Sequence, residues 1–176
     1  MTSPSSSGTS GSCTTLAAGE VGSRQWPTVV AFVVLAFIPA ILGGGNNRPG
    51  DWYRELQKPE FNPPSWVFGP VWTVLYLTIG AAGAMAWRAA IPAQRWLAFS
   101  IYGVQLVCNG LWSWLFFGLR SPFLAFLDII ALLVSIVANI VVFARIRTAA
   151  GLVLIPYLLW VSFATVLNWA IWRLNQ

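Results

Sequence analysis

The sequence predicts an all-α membrane protein, a bundle of five transmembrane helices. Three observations carry this. Of the 176 residues, 57% are hydrophobic and only 9% charged, against roughly 25% charged in an ordinary soluble domain. Mean hydropathy is +0.70. Five apolar runs follow one another, each near the ~20 residues that cross a ~30 Å hydrocarbon layer. The runs are continuous rather than alternating, which favours helices over a barrel, the two solutions that lipid tolerates.

Residues 1–24 read as a disordered extension, and residues 25–176 as the five-helix domain. The extension is rich in Ser, Thr and Gly, and up to Ser23 its only charge is Glu20. Such a segment cannot bury enough apolar surface to offset its ordering entropy. It lacks the positive start of a signal peptide, and no small-residue cleavage pattern follows Pro27–Leu42, so the first helix is expected to be retained. The spans fall at about 26–44, 65–87, 94–117, 122–144 and 149–172. The breaks carry turn chemistry and charge, as in Gly43-Gly44-Gly45-Asn46-Asn47-Arg48-Pro49 and Gly118-Leu119-Arg120-Ser121-Pro122. Three linkers are short and make antiparallel neighbours. The first, about 45–64, is long and holds Asp51, Glu55, Glu60 and several prolines; connections of that length are more often functional than idle. Arg24, Arg88, Arg95, Arg145 and Arg147 on one side balance Arg48, Arg54, Lys58, Arg120 and Arg173 on the other. That tie gives no orientation.

There is no histidine, and the cysteines are Cys13 and Cys108. A histidine base, a His-ligated haem, a Cys/His zinc site and a disulfide framework are all excluded. No catalytic residue, metal site, obligatory cofactor or nucleic-acid partner is expected. Membrane lipids surround the chain.

Depth along the helices gathers polar and aromatic residues. At ~1.5 Å per residue, Trp72, Asn109, Trp112, Trp114, Asp128, Trp160, Asn168, Trp169 and Trp172 fall in the half of the bundle facing the long loop. Trp26, Trp52, Trp87, Trp96 and Trp172 suit an interfacial belt. Trp160 at mid-membrane does not, and Trp72 and Trp112 suit it only in part. A deep indole needs a partner for its N–H, so these face the interior or a ligand; core packing is the alternative. Asp128 is the one acidic residue within a span, a functional candidate by default. Its closeness to the interface favours a structural role, as a capped helix start or a pair with Arg120. Gln105 and Asn109, four apart, are expected to tie helices together. Gly80, Gly83, Ala84, Gly103 and Gly110 suit close helix approach, within the bundle or between protomers. Pro70 and Pro156 should kink spans two and five or free carbonyls locally.

Several motifs carry a resemblance. They are Trp52-Tyr53, Leu56-Gln57-Lys58-Pro59-Glu60-Phe61-Asn62-Pro63-Pro64-Ser65-Trp66-Val67-Phe68-Gly69-Pro70-Val71-Trp72, then Gln105-Leu106 with Asn109, Trp112-Ser113 and Phe116-Phe117-Gly118, then Leu127-Asp128. The last runs from Pro156-Tyr157-Leu158 through Trp160, Phe163-Ala164-Thr165 and Leu167-Asn168 to Trp172-Arg173. In this order, over about residues 28–174, they resemble the tryptophan-rich sensory protein/translocator (TspO/MBR, peripheral-type benzodiazepine receptor) family.

The resemblance implies a five-helix bundle, often a homodimer, that binds porphyrins, sterol-like lipids or other hydrophobic small molecules under the first loop. By position, Trp72, Trp112, Trp160, Ala164 and Leu167 would line that pocket, with Phe68 and Gly69 at its edge and Asn109 beside them. Arg48, Arg54 and Lys58 could meet porphyrin propionates as charge-assisted pairs. Phe61 stands where the family usually has Trp, Leu124 replaces a pocket Trp of animal members, and Val166–Arg173 lacks the tyrosine of a cholesterol-recognition pattern. These departures favour a protoporphyrin-type ligand and a bacterial cell envelope over a sterol. Without histidine, metal-free protoporphyrin should bind at least as well as haem. Three functions stay open: tetrapyrrole sensing, regulation or transport; light- and oxygen-dependent porphyrin degradation; and lipid or sterol binding or a structural role.

Overall fold

The computed structural model describes residues 26–44 and 51–176. The expected extension 1–24 and Arg48 lie outside the described residues. Helix α1 spans Trp26–Gly44, the short α2 Asp51–Glu55, α3 Ser65–Ala89 and α4 Pro92–Ser113. A π-helical turn, Trp114–Gly118, extends α4; α5 is Pro122–Ile146, α6 Thr148–Leu152 and α7 Ile155–Leu174. Among the described residues, three segments are long and apolar enough to cross a membrane: α3, α5 and the 27-residue stretch Thr148–Leu174 that contains α6 and α7. The apolar part of α1, Trp26–Ile41, is shorter. Helix α4 carries Gln94, Arg95, Gln105 and Asn109, which lower its hydropathy.

Packing closes the long helices into a ring in the order α1, α3, α7, α5, α4. Glycines set the closest contact. A Cβ on Gly80 would lie 2.6 Å from the Val33 Cα, and one on Gly83 2.7 Å from the Phe32 ring, so α1 and α3 meet only because those side chains are absent. Tyr102 of α4 donates to the Ile79 carbonyl at 3.3 Å. Asn139 of α5 donates to Gln105 Oε1 at 2.6 Å. Gln105 and Asn109 thus do tie helices together.

Three expectations change. Pro156 sits in the first turn of α7, where its missing N–H costs nothing, and the fifth run is divided just before it into α6 and α7. The stretch read as plain helix to 117 ends in the π-helical turn, with Leu119 N–H donating to the Trp114 carbonyl at 2.9 Å. Arg120 then takes a left-handed backbone, φ 53°, so the chain reverses there. Ser121, not Asp128, caps α5, accepting from Leu124 N–H at 3.4 Å. Among the described residues Asp128 pairs with no cation, and its Oδ2 is buried without a hydrogen-bond partner; the left-handed turn does not bring Arg120 back to it.

Candidate ligand-binding site

On the long-loop side the ring does not fill. A cavity of about 290 Å³ lies between α3, α4 and α7, roofed by α2. Residues one helical turn apart build its walls. Trp72 stacks on Tyr76, centroids 5.4 Å apart, and Trp112 on Phe116 at 5.2 Å. The π turn adds a residue to the helical repeat and so re-aims the side chains beyond it. Both Phe116 and Phe117 consequently face the cavity, and both meet Tyr53 of α2 edge-on, at 6.1 and 5.5 Å.

Polar groups join the walls across helices. Tyr76 Oη donates to Asn109 Oδ1 and Asn109 Nδ2 donates to Tyr157 Oη, both at 2.9 Å. Trp112 Nε1 donates to Asn168 Oδ1 at 2.9 Å, and Asn168 Nδ2 to the Pro122 carbonyl at 2.8 Å. The side-chain amides of Asn109 and Asn168 and the Trp112 indole each therefore have a hydrogen-bond acceptor, as an apolar surround demands. The roof is fastened as well. Gln57 N–H donates to Asn175 Oδ1 at 3.0 Å, and Asn175 Nδ2 donates to the Gln57 and Ile171 carbonyls at 2.9 and 2.8 Å. One side-chain amide thus latches the first loop to the end of α7. Burial pushes the Tyr53 phenol above its ordinary value, so it stays neutral at physiological pH.

Of the residues singled out in the sequence, Phe68, Trp72, Asn109, Trp112, Ala164 and Leu167 line this cavity. Trp160 does not. It borders a neighbouring space of about 30 Å³ shared with Phe68, Trp72, Asn109, Trp112 and Ala164. Its other side borders an outward-facing groove of about 580 Å³ beside Pro70 and Pro156. Trp160 is therefore a partition between interior and exterior, held edge-on by Phe68 at 5.9 Å, with its Nε1 buried and unpartnered. Gly69 is exposed, with open space where a Cβ would stand. Lys58 turns back on its own loop: its ammonium donates to the Arg54 and Leu56 carbonyls and lies 4.6 Å over the Tyr53 ring. Arg54 is exposed on α2.

A family model described as TspO/MBR matches residues 28–173. This chain belongs to the TspO/MBR family. Its relatives include the tryptophan-rich protein TspO of Chlorobaculum tepidum, 40% identical over 135 residues, covering 73% of this chain and 82% of that one. The tryptophan-rich protein TspO of Archaeoglobus fulgidus is 43% identical over 124 residues, 70% of this chain and 80% of its own. The translocator protein of Bos taurus is 32% identical over 155 residues, 86% and 92% of the two chains. Within this TspO/MBR protein, several cavity residues escaped sequence reasoning: Tyr53, Tyr76, Phe116, Phe117 and Asn168. Asn168 carried a signal, a polar side chain at the right depth. Phe116 and Phe117 stand in the Phe116-Phe117-Gly118 motif, but their inward aim depends on the π turn.

Proposed function

We propose that this membrane protein crosses the bilayer five times and binds a flat tetrapyrrole of the protoporphyrin type beneath its first loop, acting in tetrapyrrole sensing, regulation or transport. One observation carries the reading: a cavity lined by Trp72, Tyr76, Trp112 and Phe116, in which Tyr76, Asn109, Trp112 and Asn168 are already hydrogen bonded. Such walls favour a large, flat, polarisable ligand that asks for few directed contacts. At about 290 Å³ the space stands at the lower edge of the ~300–1,000 Å³ usual for ligand pockets. Entry of a macrocycle therefore requires the α2 roof to lift or Trp160 to swing aside. Propionates would meet Arg48, Arg54 and Lys58, for which Lys58 would have to release its two carbonyls. A homodimer in a bacterial envelope belongs to the same proposal.

The test is a protoporphyrin titration read by tryptophan fluorescence, comparing the native chain with Trp72→Phe and Trp160→Phe. Weaker binding in Trp72→Phe supports the pocket, and unchanged binding in both variants overturns it. Haem should bind no tighter than metal-free protoporphyrin; a markedly tighter haem site with an axial-ligand spectrum would contradict this. A second reading, light- and oxygen-dependent porphyrin degradation, is favoured by one feature. Trp72 stacks on Tyr76, which hydrogen bonds through Asn109 to Tyr157, placing oxidisable rings in series beside the ligand. Loss of the Soret band on illumination of the complex would distinguish it.

A further inference from the structure

The ring of helices is not closed equally tightly all round. Of its five seams, the one between α3 and α7 is the most loosely packed. Rings meet across it: Phe68 lies edge-on to Trp160 at 5.9 Å, and Trp72 edge-on to Tyr157 at 6.4 Å. The hydroxyls on its two sides, Tyr76 and Tyr157, are joined through Asn109 of α4 and not to each other. Outside the seam runs the groove of about 580 Å³, with Val74 of α3 and Leu159 of α7 exposed in it and no charged side chain in its lining. Inside lies the space of about 30 Å³, whose Phe68, Trp72, Asn109, Trp112 and Ala164 also line the main cavity. Among the described residues, Trp160 is the one that lines both the groove and this inner space. Bilayer, groove, Trp160, inner space and cavity thus stand in series.

The two ways into the cavity are closed by different chemistry. The roof is held by the paired hydrogen bonds of Gln57 and Asn175 and by Trp52 and Tyr53, edge-on to Phe116 at 5.9 and 6.1 Å. Lifting it breaks all of these at once, so it becomes a way in only when the latch is removed. Trp160 is held by rings, Phe68 at 5.9 Å and Phe163 at 5.7 Å, and its Nε1 has no partner. Turning this indole therefore gives up no hydrogen bond, and a side-chain rotation is a smaller event than the lifting of a loop. Supply favours the same side. A largely apolar macrocycle leaves water for the bilayer, so the seam meets more of it than the roof does. From Ser65 to Pro70, which lines the groove, is about 8 Å along α3. A ring in the groove then lies in hydrocarbon, while carboxylates on short stems reach towards the headgroups.

We propose that the ligand enters sideways from the bilayer through the α3–α7 groove, with Trp160 as the gate, an inference that rests on the tetrapyrrole reading above. A flat ring passes edge-on between the two helices once the indole turns, and the indole closes behind it against Phe68. Trp160 accordingly sets the rate of exchange more than the affinity.

The full chain in phosphatidylcholine nanodiscs, mixed with metal-free protoporphyrin in a stopped flow and read by tryptophan quenching, tests this. Trp160→Ala, which removes the gate, should raise the association and dissociation rates at least fivefold. Val74→Trp, which fills the groove from its outer side, should lower both rates at least fivefold and leave Kd within twofold. Val137→Trp, an indole at an exposed position of α5, should change neither. Native rates in both Trp160→Ala and Val74→Trp, in chains that bind protoporphyrin, would overturn the gate and leave the pocket standing. So would an equal slowing in Val137→Trp, the mark of a general surface effect. A native chain with no saturable quenching would overturn the tetrapyrrole reading and the gate with it.

Discussion

At the short-connection end, Phe32, Trp87, Phe99, Tyr102 and Phe143 form a continuous ring cluster with centroids 4.9–6.0 Å apart. At the long-loop end, Phe68, Trp72, Trp112 and Phe116 surround about 290 Å³ of empty space. Both ends are rich in rings, so composition does not separate them. Their neighbours do. In its second half α3 presents Gly80, Ala82, Gly83, Ala84 and Ala86, all buried, and α1 and α4 close in until rings fill the gap. In its first half α3 carries Phe68, Pro70 and Trp72. Paired amides and hydroxyls there, centred on Asn109 and Asn168, join the helices at fixed distances. Close packing gives one end its stability, and hydrogen-bonded spacing gives the other its cavity.

Substitutions should break the two ends differently. The largest effect is expected for Phe143→Ala, at a fully buried ring. It should cost about 3 kcal/mol through the void it leaves, read as a lowered denaturation midpoint, with protoporphyrin affinity kept in the folded fraction. Next is Gly80→Val, whose Cβ meets the α1 backbone. A cost of ~2 kcal/mol is expected by the same measurement, against none for Gly103→Leu. At the cavity, Asn109→Ala strands the Tyr76 and Tyr157 hydroxyls and should cost ~1 kcal/mol, while also weakening protoporphyrin binding. The smallest stability change is expected for Asn175→Ala, about 0.5 kcal/mol. Its signature is kinetic: faster hydrogen exchange at the Gln57 amide and faster ligand exchange as the roof loosens.

The axial placement of the site was legible in the sequence, and its azimuth was not. Counting residues from the span ends put Trp72, Asn109, Trp112 and Asn168 at one depth, because rise per residue is fixed. Which way each side chain points depends on rotation about the helix axis. Spans that are apolar nearly all round give no stripe from which to read that rotation. Trp160 was therefore placed among the residues that line the pocket, whereas it borders the adjoining space of about 30 Å³, and Gly69 was placed at the pocket's edge, whereas it is exposed. Phe116 was missed because a π turn re-aims everything after it. Lys58 was assigned to a ligand because a loop cation looks free until the carbonyls of its own turn are seen around it. Gly80 and Gly83 were read as contacts of unknown side; only the approach of Val33 and Phe32 shows that they face α1.

The most direct test sets one ring from each end against the other: the Kd of metal-free protoporphyrin for Trp72→Leu and for Phe143→Leu, both in the full-length chain at matched folded fraction. A loop-side cavity that binds through its indole faces gives at least a tenfold weaker Kd for Trp72→Leu and a change below twofold for Phe143→Leu. Equal losses, or no loss in Trp72→Leu, would contradict it.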